Sequence, residues 1–421
     1  MRNKTTLYLL FAANSISGFA QGITMLAIPW YFASILKNSA LFGTAYSIIT
    51  IIAIGWILFA GTLIDRYSRK NIFLSLNVVG AIVLGLISAS GFYFGMVPQS
   101  LALLAFATTI FIYNLHYPTL YGLGQEITEK ENYVRMNSQL EIQGQVTSMI
   151  SGGTAAILLA GLSAGNATVF SYNLHIPFSI KAWELHEIIL LDCCTYVVAF
   201  LIIMRIKYTP VVKRNVDTSH IFQRLKTGLS FLKSRPYLFL FGICSLSIFV
   251  VSMVHTYYLL AVYTSKHLHA GAYVYAACEL FYAFGAVMAG LSIRRIFHNM
   301  SAARSISTLI LLAVIMMMAM AFSKSIVVIF LFSVILGLSN AGSRIMRITY
   351  IFHQVDNDRI GRVNSIFSIS HSIMRTIFIF FFSFPFFLRG ENVVYAYAIF
   401  AVFAAFAAFI LLSVSKKLPA N

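Results

Sequence analysis

The sequence predicts an all-α integral membrane protein whose twelve transmembrane helices form two six-helix halves. Three observations predict it: a hydrophobic composition, twelve long apolar stretches and an internal repeat. Hydrophobic residues make up 59% of the 421 residues, charged residues only 10%, and the mean hydropathy is +0.82. A soluble domain of ordinary size cannot bury that much apolar surface, so the chain belongs in lipid.

The apolar stretches are long enough to cross a bilayer, because about 20 helical residues span ~30 Å of hydrocarbon. We number them spans 1 to 12, with predicted bounds Leu7–Leu36, Leu41–Leu63, Asn71–Phe94, Ser100–Leu123, Val134–Leu162, Ile188–Arg205, Tyr237–Tyr263, Ala272–Ile293, Ile306–Phe322, Ile326–Tyr350, Val363–Phe387 and Val393–Val414. The four cysteines lie within these spans and lack the spacing of a metal or redox site. We therefore expect no metal and no cofactor.

Two sequence echoes indicate that the second half of the chain repeats the first. Gly61–Arg66 is echoed by Gly290–Arg295 at an offset of 229 residues. Val134–Ser138 is echoed by Gly361–Ser365 at an offset of 227 residues. Two independent echoes at nearly one offset indicate two halves related by duplication.

The repeat predicts three segments. We expect one six-helix bundle over residues 1–206, a cytoplasmic linker over 207–236 and a second six-helix bundle over 237–421. Within the linker, Ile221–Lys233 has the apolar spacing of an amphipathic helix. Its basic polar side suits a position on the cytoplasmic face of the membrane.

The basic residues orient the chain in the membrane rather than mark a nucleic-acid surface. The formal net charge is +17. Of the 30 Lys and Arg residues, 24 fall in or beside cytoplasmic segments if the N-terminus is cytoplasmic, five fall outside and Arg375 alone lies deep in a span. This bias fits the positive-inside rule with both termini in the cytoplasm. We expect a multi-pass protein of the bacterial inner membrane with no nucleic-acid partner.

The connection between spans 2 and 3 carries the most informative motif, Gly61-Thr-Leu-Ile-Asp-Arg-Tyr-Ser-Arg-Lys70. A carboxylate favours a helix N-terminus and a basic group a C-terminus, which suits Asp65 and Arg66 at two helix ends. The decapeptide resembles the major facilitator superfamily motif Gly-x-Leu-x-Asp-Arg-x-Gly-Arg-Arg/Lys, with Ser68 in place of the inner Gly. The resemblance implies the major facilitator fold with a cytoplasmic gate, whose residues we predict to be Asp65, Arg66, Arg69, Lys70 and Arg362.

Further motifs resemble the branch of that superfamily that contains macrolide-efflux proteins and the enterobactin exporter. These motifs are Arg135-Met-Asn-Ser in span 5, Asp192 in span 6, the amphipathic linker and the segment Asp358–Asn364. The resemblance implies a monomer that alternates access by rocking two bundles, powered by an ion gradient. Related antiporters often carry a Gly-Pro pair in span 5, where this chain has Ser151-Gly152-Gly153. This departure leaves both export and uptake open.

Two charged residues deep in spans are the strongest candidates for a functional site. Glu279 in span 8 and Arg375 in span 11 both approach the middle of the membrane, where each charge costs at least about 2.5–3.5 kcal/mol. Either they form a static pair that neutralises two buried charges, or protonation of Glu279 frees Arg375 to hold an anionic substrate. The sequence leaves both readings open.

Other polar residues lie on spans that border the central cavity in the resembled fold. The predicted substrate-binding residues besides Arg375 are Asn14, Gln21, His116, Tyr117, His255, Tyr258, Asn340 and Arg344. A lone His on a membrane helix is more often a packing residue than a proton carrier. Asp192 is either a structural acid or, with Glu279, a second proton-coupling site.

The predicted partners are lipid, protons and a small organic solute. Arg344, Arg347, Arg375, His255 and His371 make the second half basic, and the planar fork of Arg matches carboxylates. We therefore expect a secondary transporter of an anionic or amphiphilic, siderophore-like solute, with proton-coupled export ranked first. Uptake of a ferric siderophore or other organic anion, and macrolide or multidrug efflux, are the alternatives. No nucleophile–base or metal-ligand constellation suggests an enzyme.

The segment between spans 5 and 6, Ser163–Trp183, is longer than a minimal connection. Its aromatic residues suit either an anchor at the outer interface or a lid over the cavity mouth. The sequence does not choose between these alternatives.

Overall fold

The computed structural model describes residues 4–128, 133–162, 165–169, 172–176, 179–206, 221–297, 299–355 and 360–418. Across these residues, all twelve predicted spans are helices. Spans 1 to 6 contain the helices Lys4–Trp30, Ser39–Arg66, Arg69–Phe94, Gln99–Ile127, Tyr133–Ala160 and Leu185–Met204; spans 7 to 12 contain Pro236–Lys266, Ala272–Ile296, Ala302–Phe322, Ile326–Gln354, Ile360–Phe382 and Val393–Val414. The predicted all-α membrane fold is confirmed.

Eleven of these helices are long and apolar enough to cross a membrane, counting only residues that the structure describes. The twelfth helix, Tyr133–Ala160, is as long as the others but carries a row of polar residues. A polar membrane helix is expected to turn those groups toward other helices or a water-filled cavity rather than toward lipid. Span 5 is therefore a helix that contributes polar groups to the protein interior.

One predicted boundary is wrong. Span 11 was expected to reach Phe387, but its helix ends at Phe382, and a separate one-turn helix covers Pro385–Leu388. A proline restricts the residue before it to extended conformations and cannot continue a helix. Phe384 is accordingly extended, although the segment stays as apolar as the span before it.

Spans 1 and 7 each contain a π-helical turn. In span 1 the turn covers Tyr31–Ile35 and ends the helix, whereas in span 7 it covers His255–Leu259 and an α-helix continues to Lys266. The offset of 224 residues between the two turns is close to the sequence repeat, so they occupy nearly corresponding places in the two halves. Such turns insert one extra residue into a helix and redirect the side chains beyond it.

The connection between spans 5 and 6 contains the only two strands in the described residues. Strands β1 (Gly165–Val169) and β2 (Tyr172–Ile176) pair antiparallel, with Gly165 opposite Ile176. An isolated bridge between Leu162 and Ile180 continues the pairing toward the membrane helices. A hairpin was not foreseen from the sequence, and its role as anchor or lid stays a prediction.

The chain divides into two compact units. The first contains Met1–Lys37, Phe59–Arg214 and Ala270–Leu280; the second contains Asn38–Leu58, Asn215–His269 and Phe281–Asn421. Glycines bring helices close within the first unit: a Cβ at Gly22 would stand 2.8 Å from Ser151, and one at Gly80 would stand 3.1 Å from Tyr196. Small residues at such crossings let membrane helices pack through their backbones.

The linker helix forms as predicted, over Ile221–Lys233. Within the second unit it packs against the start of span 11, because Leu232 is fully buried and a Cβ at Gly228 would stand 2.9 Å from the Arg362 carbonyl oxygen. Beyond the helix, an Arg235 Nη1 group donates to the Gln354 carbonyl at 2.7 Å. The linker thus contacts both sides of the connection between spans 10 and 11.

Candidate functional site

Two predicted gate residues tie neighbouring helices together at the start of span 3. Arg69 donates through Nη1 to the carbonyl of Gly122 in span 4 and forms a 3.2 Å ion pair with Glu126. The Nζ of Lys70 donates to the carbonyls of Met204 and Ile206 at 3.0 and 2.7 Å. Basic groups at helix C-termini stabilise the carbonyls left without helical partners.

The other gate residues are placed less completely. Asp65 and Arg66 belong to the last turn of the span 2 helix, and their side chains fall outside the part of the structure that is described. The Arg362 backbone lies at the start of span 11, beneath the linker helix. The gate therefore stays a prediction, with Arg69 and Lys70 in a geometry that suits it.

A polar group in the first unit joins two predicted substrate-binding residues. The His116 Nε2 atom and the Asn14 Oδ1 atom are 2.8 Å apart, so a hydrogen bond joins spans 4 and 1. The sequence predicted both residues as binding residues but not their contact. Tyr117 packs its ring against His116, with centroids 5.5 Å apart. Gln21 lies two turns farther along span 1 and is partly buried.

Span 5 also contributes a polar residue that the sequence reading undervalued. Gln143 donates through Nε2 to the Phe11 carbonyl at 2.8 Å and to the Ser15 hydroxyl at 2.6 Å. Just over two turns farther along span 5, Ser151 donates to the Phe19 carbonyl at 2.9 Å. These hydrogen bonds join span 5 to span 1. The row of polar residues on span 5 was the sequence signal for this contact.

Glu279 packs against span 5 at the site of the sequence departure noted above. A Cβ at Gly152 would stand 3.0 Å from the Glu279 Cβ and 3.1 Å from the backbone nitrogen of Leu280. Among the described residues, the Glu279 carboxylate has no hydrogen-bond or ion-pair partner, and the residue is partly exposed. Glycine at position 152 therefore creates the room in which this acid sits.

The second unit contains a basic cluster, defined as Arg344 and Arg347 on span 10 with His371 and Arg375 on span 11. Residues three or four apart share a helix face. Arg347 interacts electrostatically with Arg344, and His371 with both Arg347 and Arg375. Spans 10 and 11 thus direct four basic groups toward a shared region.

Arg347 and Arg375 of the basic cluster contact a backbone carbonyl and an aromatic ring. Arg347 donates through Nη1 to the Ser245 carbonyl at 3.0 Å. The Arg375 guanidinium lies 5.8 Å from the centroid of the Tyr46 ring, a cation–π distance, while its Nε is buried without a hydrogen-bond acceptor in the described residues. In the sequence of this unit, all four acids, Asp217, Asp356, Asp358 and Glu391, lie outside the spans.

Three further predicted substrate-binding residues are buried and hydrogen-bonded. His255 is 2% exposed, and its Nδ1 lies 2.8 Å from the Tyr397 hydroxyl. Tyr258 is 1% exposed and donates to the carbonyls of Ser39 and Phe382 at 3.3 and 3.4 Å. Asn340 donates through Nδ2 to the Tyr282 hydroxyl at 2.6 Å, while its Oδ1 is buried with no hydrogen-bond partner in the described residues. Substrate binding by these three residues stays a prediction.

The two predicted proton-coupling residues both belong to the first unit. Asp192 is fully buried on span 6, one turn before Tyr196. Arg375, the partner predicted for Glu279, belongs to the second unit. The ion pair between Glu279 and Arg375 stays a prediction.

Comparison with known proteins places this arrangement in a family. The model of the Major Facilitator Superfamily matches residues 10–379. No curated protein sequence matches the chain.

Solved structures of several transporters share the fold. The nucleoside transporter NupG is 12% identical with a TM-score of 0.71, covering 99% of this chain and 100% of its own. A bacterial homologue of the iron transporter ferroportin in an inward-facing state is 15% identical, with a TM-score of 0.70 and 98% of each chain covered. A D-xylose–proton symporter is 11% identical, with a TM-score of 0.71 and 99% of each chain covered.

Proposed function

Because the chain belongs to the major facilitator superfamily, it is a multi-pass secondary transporter rather than an enzyme, and we propose that its substrate is a small organic anion. The observation that supports this proposal is the basic cluster of Arg344, Arg347, His371 and Arg375 in a unit whose spans contain no acid in the sequence. Each charge at the middle of a span costs about 2.5–3.5 kcal/mol. An anionic substrate would offset that cost.

The chemistry of the cluster favours carboxylates. Arginine presents a planar fork of donors that binds a carboxylate through two parallel hydrogen bonds. Two or three such groups in one region suit a ligand with several carboxylates better than a simple monoanion. A carboxylate siderophore, or a similar metal-chelating amphiphile, is the substrate class that we propose, ahead of macrolides and cationic drugs.

Proton coupling is assigned to Glu279. It is an acid within a span, partly exposed, and it has no partner among the described residues, so its charge is free to change during a transport cycle. In a rocking mechanism, the cavity is closed to water on both sides during the transition. Protonating a carboxylate lowers the free energy of holding it in that closed cavity. We assign no such role to the buried His255.

The direction of substrate transport depends on whether the proton and the substrate cross the membrane in opposite directions or in the same direction. Export by proton exchange is the first candidate, because the motifs in spans 5 and 6 resemble an exporter branch. Uptake is the second candidate, in which Glu279 takes up a proton while the arginines bind the anion. A proton and an anion that bind together move together, down an inward proton gradient.

A ligand screen of the detergent-purified chain tests the substrate class. We expect a citrate- or hydroxycarboxylate-based siderophore to raise the melting temperature, since a ligand that binds only the folded state stabilises it. Arg375→Gln should raise the half-saturating concentration about 10- to 100-fold, as expected for loss of a charge-assisted hydrogen bond. Arg304→Gln, an exposed arginine on span 9, is the matched control and should bind like the wild type. Stabilisation by macrolides alone would replace the proposal with drug efflux.

Proteoliposomes loaded with the ligand so identified test the direction. If export is correct, an acidic outside should accelerate loss of ligand from right-side-out vesicles. Uptake of external ligand under the same gradient would instead assign the protein to symport. Glu279→Gln should abolish the effect of the gradient in either case.

A further inference from the structure

Thr24, Asp192 and Tyr196 lie in one buried region of spans 1 and 6, where Thr24 is close enough to interact with the Asp192 carboxylate although no hydrogen bond of ordinary geometry joins them. Asp192 and Tyr196 lie one turn apart on span 6, and Thr24 lies on span 1 facing the Asp192 carboxylate. Asp192 and Thr24 are 0% exposed and Tyr196 is 2% exposed. Both Asp192 carboxylate oxygens and both hydroxyls are buried with no hydrogen-bond partner in the described part of the chain.

Four unsatisfied oxygens in one buried place need an explanation, because buried polar groups in proteins are almost always hydrogen-bonded. Burying a carboxylate without a partner is costlier still. The three helices concerned contain no Lys or Arg between Thr5 and Ile35, Asn71 and Phe94, or Leu185 and Met204, and their one histidine, His186, lies near the start of span 6. The charge at Asp192 therefore lacks a counterion from spans 1, 3 and 6.

The arrangement has the features of a cation site. Oxygens that share a bound cation lie farther from one another than hydrogen-bonded oxygens do, since the ion occupies the space between them. All the candidate ligands are hard oxygen donors, which suit alkali and alkaline-earth ions rather than soft metals. The neighbouring thiol of Cys193 donates instead to the Ala81 carbonyl on span 3 at 3.2 Å, so no soft ligand competes.

Charge balance selects a monovalent ion. One carboxylate neutralises one positive charge, whereas a divalent ion would leave an uncompensated charge in an apolar region. We propose that Thr24, Asp192 and Tyr196 bind Na⁺ between spans 1 and 6. Such a site gives transport a sodium dependence and thereby extends the proposed function, but binding of the ion itself requires no organic substrate.

The test is Na⁺ binding by the full-length chain in detergent, without any organic ligand. Melting temperature is measured at pH 8 in NaCl, KCl or choline chloride of equal ionic strength. We expect a rise that depends on Na⁺ concentration and is absent in choline. Thr24→Val and Tyr196→Phe should each raise the half-saturating Na⁺ concentration at least tenfold. Thr109→Val is the matched control, because that buried hydroxyl already donates to the Ala105 carbonyl at 2.9 Å.

The decisive variant is Asp192→Asn, which should lose the Na⁺ response while remaining monodisperse on size exclusion. If Asp192→Asn does not fold, the two hydroxyl variants and equilibrium binding of ²²Na⁺ to the wild type decide the matter. Equal melting temperatures in NaCl and choline chloride overturn the proposal, as does an unchanged Na⁺ response in Asp192→Asn. A response to pH but not to Na⁺ also overturns it and makes Asp192 a proton site. None of these results bears on anion binding by Arg375, so the two proposals fail separately.

Discussion

The crossing of spans 8 and 10 offers a sharp test of the packing, because two glycines meet there. A Cβ at Gly337 would overlap the carbonyl oxygen of Tyr282 and stand 2.8 Å from its carbonyl carbon. A Cβ at Gly285 would likewise overlap the carbonyl oxygen of Val334. These neighbours are backbone atoms, which cannot rotate away as a side chain can. Gly337→Ala must therefore push the two helices apart.

The cost follows from the separation. Carbon atoms pack best about 3.5–4.0 Å apart, so the two helices must move apart by roughly 1 Å. A gap of that size removes up to about half of the dispersion energy of each contact along the crossing. Overpacking of this kind typically costs about 1–3 kcal/mol. For units of this size we expect the melting temperature to fall by about 5–10 °C. The hydrogen bond between Asn340 and Tyr282, now 2.6 Å, should lengthen as well.

Thermal unfolding in detergent, followed by size exclusion, measures the effect. Gly290→Ala is the matched control: it is on the same helix as Gly285, and a Cβ there meets nothing within 4 Å. It should leave the melting temperature unchanged or raise it slightly, since alanine favours a helix over glycine. A single separation of the two helices makes room for both added methyl groups. The double variant Gly285→Ala/Gly337→Ala should therefore lose less stability than the sum of the losses in the two single variants. A melting temperature for Gly337→Ala within about 1 °C of that for Gly290→Ala would refute this account of the crossing.

Three further predictions concern charged groups. Arg69→Gln should destabilise the chain by about 1–2 kcal/mol, because it loses the Gly122 carbonyl and Glu126, whereas Lys226→Gln on the exposed side of the linker helix should have no effect on the melting temperature. Glu279→Gln should make ligand binding independent of pH while keeping it detectable; an unaltered pH profile would move proton coupling elsewhere. The hydrogen bond from Lys324, with the charges of Lys324, His267 and His269, lowers the pKa of Glu391 below its ordinary 4.5. Its stabilising effect is thus present above pH 4.5 and is lost as the pH falls through the lower folded-state value. Melting temperatures of the wild type and Glu391→Gln should converge at low pH, and parallel curves would contradict this.

The fold could be predicted from the sequence because its main determinants are local. Hydropathy alone located all twelve helices, and the amphipathic spacing of Ile221–Lys233 gave the linker helix with its bounds. The errors have local causes too. Apolar residues continue past Phe382, so hydropathy missed the break that Pro385 imposes. The β1–β2 hairpin escaped notice because short strands outside the membrane leave little trace in a chain dominated by helices.

The site was less predictable because its geometry joins distant parts of the chain. The sequence nominated Asn14 and His116 separately, but their hydrogen bond connects residues 102 positions apart. For the same reason, nothing local indicated that His255 would be bonded to Tyr397, 142 positions away, and so be buried. Glycine was undervalued as well: Gly152 was noted only as a departure from a motif, yet it forms the space beside Glu279.

Acidic and basic residues within spans are distributed unevenly between the two compact units. In the sequence of the first unit, the acids within spans are Glu141, Asp192 and Glu279, and spans 1 and 4 contain no Lys or Arg within their apolar stretches. In the second unit the pattern is reversed, with arginines on spans 10 and 11 and no acid within a span. Acids within spans suit cations, and arginines within spans suit anions. We therefore propose that the first unit binds the driving ion and the second unit the organic anion, which the separate tests of Asp192 and Arg375 check.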